Sequence, residues 1–219
     1  MTRRLLELAL LVMVVGLAAW FLAPQAPPPP PKEGPLQALV GVEAPELSEV
    51  VVVHLTTSHG LVSLALYPVA APRHVARFLE LVDSGYYNDT TMVRVVPDFV
   101  VQFGINPDPK FRHWKNETIE AEPNYFEPLA GTIAMAEDGE RRAATQLFIN
   151  MADNPHLRQS GGAIFGRVIE QGLVLGENLT AMDVLRSLPA LELDQDLLWA
   201  GKTPKGSPGH LFAATRTRP

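Results

Sequence analysis

Short apolar runs rich in valine, leucine, isoleucine and phenylalanine alternate with turn-forming residues between Val50 and about residue 170. Branched and aromatic side chains favour strands, and these runs have the usual length of a strand. The runs VVVHLTT and LVSLALY flank Ser58, His59 and Gly60, which predicts a β-hairpin. The same pattern predicts further strands in MVRVVP, FVVQFG, GTIAMA, QLFIN and IFGRVIE.

Two other segments have the periodicity of amphipathic helices. In PRHVARFLELVDSG, one helical face is predicted to carry Val75, Phe78, Leu79 and Val82. Pro72 suits the first turn, and Gly85 suits the position after the last. A second helix is predicted near LTAMDVLRSLP, with Leu179, Met182 and Leu185 facing inward. Many short strands with two helices indicate a mainly β fold, a closed antiparallel barrel that is capped at its ends.

The N-terminal segment, residues 1–23, has a different character. Arg3 and Arg4 precede an apolar run from Leu5 to Ala23 that only Glu7 interrupts. Its length is close to the ~20 residues that a helix needs to span a bilayer, and the basic residues favour a cytoplasmic N-terminus with the rest exported. The segment is therefore predicted to be a transmembrane anchor or a cleaved signal peptide. The anchor is favoured, because bulky residues fill the zone where cleavage requires small ones.

The remaining segments are predicted to lack regular structure. Residues 24–49 begin with a run of prolines, which favours an extended polyproline II linker that holds a domain away from the membrane. Residues 191–219 end in a stretch rich in glycine, proline, threonine and basic residues, and are predicted to form an irregular tail. The folded domain is therefore assigned to residues 50–190.

Composition excludes several classes of function. The net charge of -6, with no run of lysine and arginine, argues against nucleic-acid binding. The absence of cysteine excludes disulfides, thiolate catalysis and cysteine-based zinc sites. The 6 histidines have no metal-ligand spacing, and no phosphate-binding loop is present, so we expect neither a metal nor a cofactor.

The stretch TTMVRVVPDFVVQFG, residues 90–104, places Arg94 in an apolar strand. A charged side chain there costs desolvation free energy unless it is paired or used. Composition alone favours an arginine at a barrel edge with its head in water. The stretch as a whole, however, resembles the active-site segment of cyclophilins, the peptidyl-prolyl isomerases.

This resemblance covers roughly residues 50–190 and depends on several blocks in a fixed order. They are TTSHGLVSLALYP, AAPRHVARFLELVDSGYY, RVVPDFVVQFG, GTIAMA, ATQLFINMADNPHL and IFGRV. The resemblance implies a closed eight-stranded antiparallel barrel with two capping helices, here preceded by the predicted transmembrane helix. ADNPHL and the short connection at GTIAMA are more similar to bacterial-type cyclophilins.

The resemblance also implies roles for individual residues. Arg94 is expected to donate a hydrogen bond near the prolyl nitrogen, and Gln102 to orient its guanidinium. The pocket for the proline ring is expected from Phe99, Val100, Phe148 and Leu157, while Gln146 and Ala136 bind the substrate backbone and His156 lies at the rim. The alternatives are ordinary core phenylalanines, solvent-facing glutamines and a surface histidine.

The chain departs from the family pattern around these positions. Phe103 is bulky where the family keeps the backbone small, Gly162 stands where a rim histidine or tyrosine is usual, and Glu137 replaces an asparagine. His156 stands in place of a tryptophan, which implies weak cyclosporin binding.

Three functions compete at this point. The favoured one is a membrane-anchored peptidyl-prolyl isomerase that acts on proline-containing polypeptides and assists the folding of exported proteins, in the periplasm or a secretory lumen. The alternative is a proline-segment binding module with weak or no catalysis, which Phe103, Ile105 and Gly162 motivate. The third is a membrane-tethered scaffold, against which the set of Arg94, Gln102, Gln146 and Phe148 argues.

Overall fold

The computed structural model describes residues 36–169, 180–202 and 209–217. The predicted anchor, residues 1–23, and residues 24–35 of the predicted linker lie outside these ranges. Within them, no helix is long and apolar enough to cross a membrane.

A ring of antiparallel strands forms the centre of the fold. The strands are β1 (Val51–Thr57), β2 (Gly60–Leu66), β3 (Thr90–Val96), β4 (Val100–Phe103), β5 (Ile119–Glu120), β6 (Thr132–Glu137), β7 (Arg142–Asn150), β8 (Ile164–Ile169), β9 (Leu191–Glu192) and β10 (His210–Arg216). Around the ring the order is β10-β1-β2-β8-β6-β7-β4-β3, and β3 pairs with β10 to close it. The two-residue strands β5 and β9 pair with β7 and β3 from outside. The predicted closed eight-stranded barrel and its first hairpin are confirmed.

The closing strand corrects the prediction of an irregular tail. Residues 191–219 contain β9, a short helix and β10, which pairs with β1 along one edge and β3 along the other. Seven of the eight strands in the ring come from the predicted runs, and β10 is the eighth. Its pairing partners are more than a hundred residues away in the sequence, so no local pattern signals it.

The start of the domain is also earlier than predicted. Leu36 is buried. The N–H of Leu39 donates to the carbonyl oxygen of Tyr125 at 2.9 Å, and the N–H of Glu127 donates to the carbonyl oxygen of Gln37 at 2.8 Å. Residues 36–39 therefore pack against the barrel and are not part of a free linker, because distant residues supply their hydrogen-bond partners.

Helices cover the barrel as the apolar periodicity predicts. Helix α1 (Pro72–Asp83) buries Val75, Phe78 and Val82 as predicted, and Gly85 follows it with φ 71°. Leu81 is buried as well, whereas Leu79, predicted on the same face, is half-buried. Helix α2 (Ala181–Arg186) buries Ala181, Val184 and Leu185, whereas Met182, predicted to face inward, is half-buried at the edge of the core. Leu179 lies outside the described ranges. A third helix, α3 (Gln195–Trp199), was not predicted.

Strand alternation divides the barrel wall into two faces. In β4 and β7, Val101, Phe103, Leu147 and Ile149 belong to the main core, while Val100 and Phe148 belong to a second cluster on the opposite face. Because side chains alternate along a strand, every second residue of these strands is presented on that opposite face.

Candidate active site

A row of side chains crosses four strands on the face opposite the main core. In register, Arg94 of β3 lies beside Gln102 of β4, Gln102 lies beside Phe148 of β7, and Phe148 lies beside Ala134 of β6. Hydrogen-bonded strands lie about 4.8 Å apart, so the register alone brings these residues together.

A groove of about 290 Å³ lies over this row. It is lined by Arg94, Phe99, Val100, Gln102, Ala136, Glu137, Phe148, Leu157, Ser160 and Gly161. Seven of the nine residues predicted from the sequence are in this lining. The other two are adjacent, since Gln146 bonds to Gln102 and the ring of His156 stacks on Phe99 with centroids 5.5 Å apart.

The guanidinium of Arg94 lies at the edge of the apolar part of the groove. Its carbon is 5.5 Å from the centre of the Phe99 ring, and its side chain is 34% exposed. Among the described residues its buried Nε makes no hydrogen bond, but it forms an ion pair with Oε1 of Glu192 in β9 at 3.6 Å. A cation with a donor that is not hydrogen-bonded therefore lies beside an apolar pocket.

Three glutamines form a hydrogen-bonded chain along one side of the groove. Nε2 of Gln102 donates to Oε1 of Gln146 at 2.8 Å, and Nε2 of Gln146 donates to Oε1 of Gln195 in α3 at 3.1 Å. Gln102 faces Arg94 across the strand pair, but its side-chain amide donates to Gln146 and not to Arg94. The role of Gln102 in orienting the guanidinium therefore stays a prediction. Gln195 and Glu192 were missed, because both lie in the segment predicted to be irregular.

Glu137, Ser160 and Gly161 line the groove although the sequence did not predict them as functional, and Glu137 is the charged one. Its side chain is 5% exposed, and its Oε2 is 3.5 Å from Nε of Arg141. Burial raises the pKa of the Glu137 carboxyl above its usual value, although the positive charge of Arg141 lowers it. The substitution for asparagine was visible in the sequence, but not the burial of the carboxylate.

Two departures from the family pattern do not reach the groove. Phe103 is fully buried in the main core, where its ring packs edge-on against Tyr87 with centroids 5.9 Å apart. Ile105 is fully buried with Val93 and Leu198. Neither side chain narrows the groove, which removes two of the three reasons for a module without catalysis.

A larger cleft of about 590 Å³ lies elsewhere, lined by polar residues such as Asn88, Asn106 and Lys110. It contains none of the predicted residues, and its lining is mostly polar, with Pro107 and Phe111 as the apolar exceptions. Across the described ranges, no group of histidine, aspartate and glutamate side chains is placed to hold a metal ion.

Comparisons with known proteins agree with this geometry. A family model described as cyclophilin type peptidyl-prolyl cis-trans isomerase/CLD matches residues 52–195. Peptidyl-prolyl cis-trans isomerase A of Dickeya dadantii is 42% identical over 122 residues, which are 53% of this chain and 64% of the Dickeya protein. Peptidyl-prolyl cis-trans isomerase B of Bacillus subtilis is 35% identical over 129 residues, which are 58% of this chain and 88% of that protein. The chain thus spans less than two thirds of the first relative and most of the second.

Solved structures give the same fold. A cyclophilin-type peptidyl-prolyl cis-trans isomerase of Cryptosporidium parvum superposes with a TM-score of 0.56 at 20% identity, covering 78% of this chain and 99% of that one. The Cryptosporidium protein has also been crystallised in the presence of the dipeptide Ala-Pro.

Proposed function

Since this chain belongs to the cyclophilin family of peptidyl-prolyl cis-trans isomerases, we propose that the groove at Arg94 catalyses rotation about X-Pro bonds in exported polypeptides. The observation that carries the proposal is the position of the Arg94 guanidinium beside the apolar pocket of Phe99 and Phe148, with a buried Nε that makes no hydrogen bond to the described residues.

The chemistry needs no nucleophile and no proton transfer. Rotation is opposed by amide resonance, with a barrier of ~18–20 kcal/mol, so a catalyst must favour the twisted state over both planar ones. As resonance is lost, the lone pair of the prolyl nitrogen becomes an acceptor. A donor held in place beside a water-excluding pocket stabilises that state, because it does not have to reorganise.

Each predicted residue has a role in this proposal. Phe99, Val100, Phe148 and Leu157 hold the proline ring, Arg94 donates to the prolyl nitrogen, and Gln102 orients the guanidinium. The amide of Gln146, with the backbone at Ala136, binds the substrate chain, and His156 extends the rim over Phe99.

The site of action in the cell is a separate proposal, carried by the sequence of residues 1–23. The apolar run is long enough for an anchor, and Arg3 and Arg4 ahead of it favour a cytoplasmic N-terminus, which supports a domain on the exported side, in the periplasm or a secretory lumen. Uncatalysed proline isomerisation takes about 10–100 s, so proteins that fold after export gain from a catalyst there. With His156 in place of tryptophan at the rim, we expect cyclosporin to bind weakly.

Exchange NMR on an Ala-Pro peptide tests the proposal. The full chain in detergent is compared with Arg94→Ala and with Arg112→Ala, which removes an exposed arginine outside the groove. We expect Arg94→Ala to lower the rate of exchange by roughly 10²–10³-fold, as for the loss of one preorganised donor. Arg112→Ala is expected to retain the full rate.

Two results would contradict this function. Full activity in Arg94→Ala would remove the arginine from the mechanism. Saturable binding of the peptide without any acceleration in the unmodified chain would make the protein a proline-binding module.

A further inference from the structure

The carboxylate of Glu137 forms part of the groove wall next to Ala136, where the substrate backbone is proposed to lie. The side chain is 5% exposed, and its Oε1 makes no hydrogen bond of good geometry among the described residues, although the backbone N–H of Ala163 is close enough to the carboxylate to lower its pKa. A buried acceptor without a well-aligned donor is unfavourable, and such an atom in a binding groove is placed to accept from a ligand.

Gly162 provides the space in which this carboxylate lies. Its φ is +80°, and a Cβ at this position would be 2.5 Å from the carbonyl oxygen of Met135 and 3.2 Å from Oε1 of Glu137. A side chain at residue 162 would therefore clash with the backbone of Met135 and crowd the carboxylate. In the family pattern these two positions hold a histidine or tyrosine and an asparagine. In this chain Gly162 and Glu137 replace them, which leaves one negative charge.

The charges around Glu137 leave one oxygen available. Arg141 approaches Oε2, not Oε1, and is itself 60% exposed, so water screens much of its charge. Arg94 lines the same groove, and its nearest carboxylate is Glu192. Glu137 is thus only partly neutralised, although it is shielded from solvent.

We propose that Glu137 determines specificity, by selecting substrates that carry a lysine or arginine side chain next to the X-Pro pair. The cation donates a hydrogen bond to Oε1 and neutralises the carboxylate at the same time. A charge-assisted hydrogen bond is about twice as strong as a neutral one, which favours a cation over a serine or amide donor. The inference rests on the proposed function, since it names the substrate class of the same groove.

The test compares peptides that differ only in charge. Peptides with lysine or norleucine at the residue before X-Pro, and at the residue after it, are assayed with the full chain by exchange NMR. We expect lysine to raise kcat/KM by about tenfold over norleucine at one of these positions, mainly through KM, because a contact made in ground and transition states alike acts on binding.

Three variants assign this preference to Glu137. Glu137→Gln, which keeps the shape of the side chain, is expected to bring the lysine to norleucine ratio close to one while turnover of the norleucine peptide persists. Glu140→Gln, a carboxylate that is 75% exposed and pairs with Arg142, is expected to leave the ratio unchanged. Arg141→Asn removes the cation that competes for Glu137, and asparagine tolerates the φ of 58° at this position. This variant is expected to increase the lysine to norleucine ratio.

The outcomes separate this inference from the proposed function. Catalysis with equal rates for lysine and norleucine peptides, or a preference that survives in Glu137→Gln, overturns the inference and leaves the isomerase. If no peptide is isomerised, the proposed function is overturned, and NMR titration of the same peptide pairs then decides the inference. Tighter binding of the lysine peptide that is lost in Glu137→Gln supports the inference, and equal binding of the two peptides refutes it.

Discussion

His74 is a single residue with a predictable effect on stability, because its imidazole is fully buried in the core. Its ring centre is 6.4 Å from that of Phe165, and neither ring nitrogen has a hydrogen-bond partner in the described part of the chain. Burial lowers the pKa of His74, outweighing the nearby Glu122 carboxylate, which raises it, and Arg73 lowers it further. The folded protein therefore resists protonation of a side chain that the unfolded chain protonates readily.

This residue gives the protein a predictable sensitivity to acid. As pH falls below about 6.5, the unfolded state binds a proton on His74 before the folded state does, so the free energy of unfolding falls. The loss ends once pH passes the lowered pKa of the folded state, and each unit of lowering corresponds to about 1.4 kcal/mol. We expect His74→Leu to remove this part of the dependence in urea unfolding between pH 5 and pH 8.

The control is His113→Gln, at an exposed histidine. It is expected to leave the slope of stability against pH unchanged. A slope that is the same in His74→Leu as in the unmodified protein would show that other groups, such as carboxylates, cause the acid sensitivity.

Helix α1 depends on a residue from another element for its N-terminal cap. Its N-cap residue is Ala71, which has no side-chain acceptor. The carboxylate of Glu122 takes this role, accepting from the N–H of Arg73 at 3.1 Å and from the N–H of His74 at 2.8 Å. The carboxylate is 7% exposed and lies at the positive end of the helix dipole, so it both satisfies donors and neutralises partial charge.

We expect Glu122→Ala to destabilise the protein by about 1–3 kcal/mol, because it removes two hydrogen bonds to the first turn of α1 and leaves their donors buried. Urea unfolding measures the change, and hydrogen exchange of the amides of residues 73 and 74 locates it. Glu120→Ala is the matched control, since that carboxylate is 86% exposed and 3.9 Å from Arg73. Equal stability of the two variants would rule out the capping role.

Closure of the barrel by β10 is a property of the whole molecule. The strand lies between β1 and β3, and its Leu211 and Ala214 are buried. Without it, both neighbouring strands would expose unpaired backbone groups along an edge, which favours association between chains.

Removal of residues 209–219 is therefore expected to abolish cooperative unfolding. Domains are typically stable by about 5–15 kcal/mol, and we expect the loss of a complete strand with its buried side chains to cost more than the lower end of that range. Circular dichroism during urea unfolding and light scattering test this in the full chain and in a control that lacks only residues 218–219. A truncated protein that unfolds cooperatively at the same urea concentration would show that the ring does not need β10.

Patterns within short segments were enough to predict most of the barrel. The hairpin at Ser58 to Gly60, the inner face of α1 and the strands that carry Arg94, Gln102 and Phe148 all follow from periodicity and turn residues. Because strand alternation also decides which side chains share a face, seven of the nine residues that the resemblance assigned to the site line one groove, while their roles stay predictions.

Contacts between distant segments decided the rest. In β10 a register shift skips Phe212, so the buried residues Leu211 and Ala214 are three apart and the segment lacks the alternation of a strand. Glu192, Glu122 and Leu36 likewise acquire their roles from partners far along the chain. By itself, the sequence determined the local elements and the family of the domain, since both depend on neighbouring residues. Only the tertiary structure decided how the ring closes and which carboxylates are buried in or beside the groove, because those depend on which backbone edges and charges meet in space.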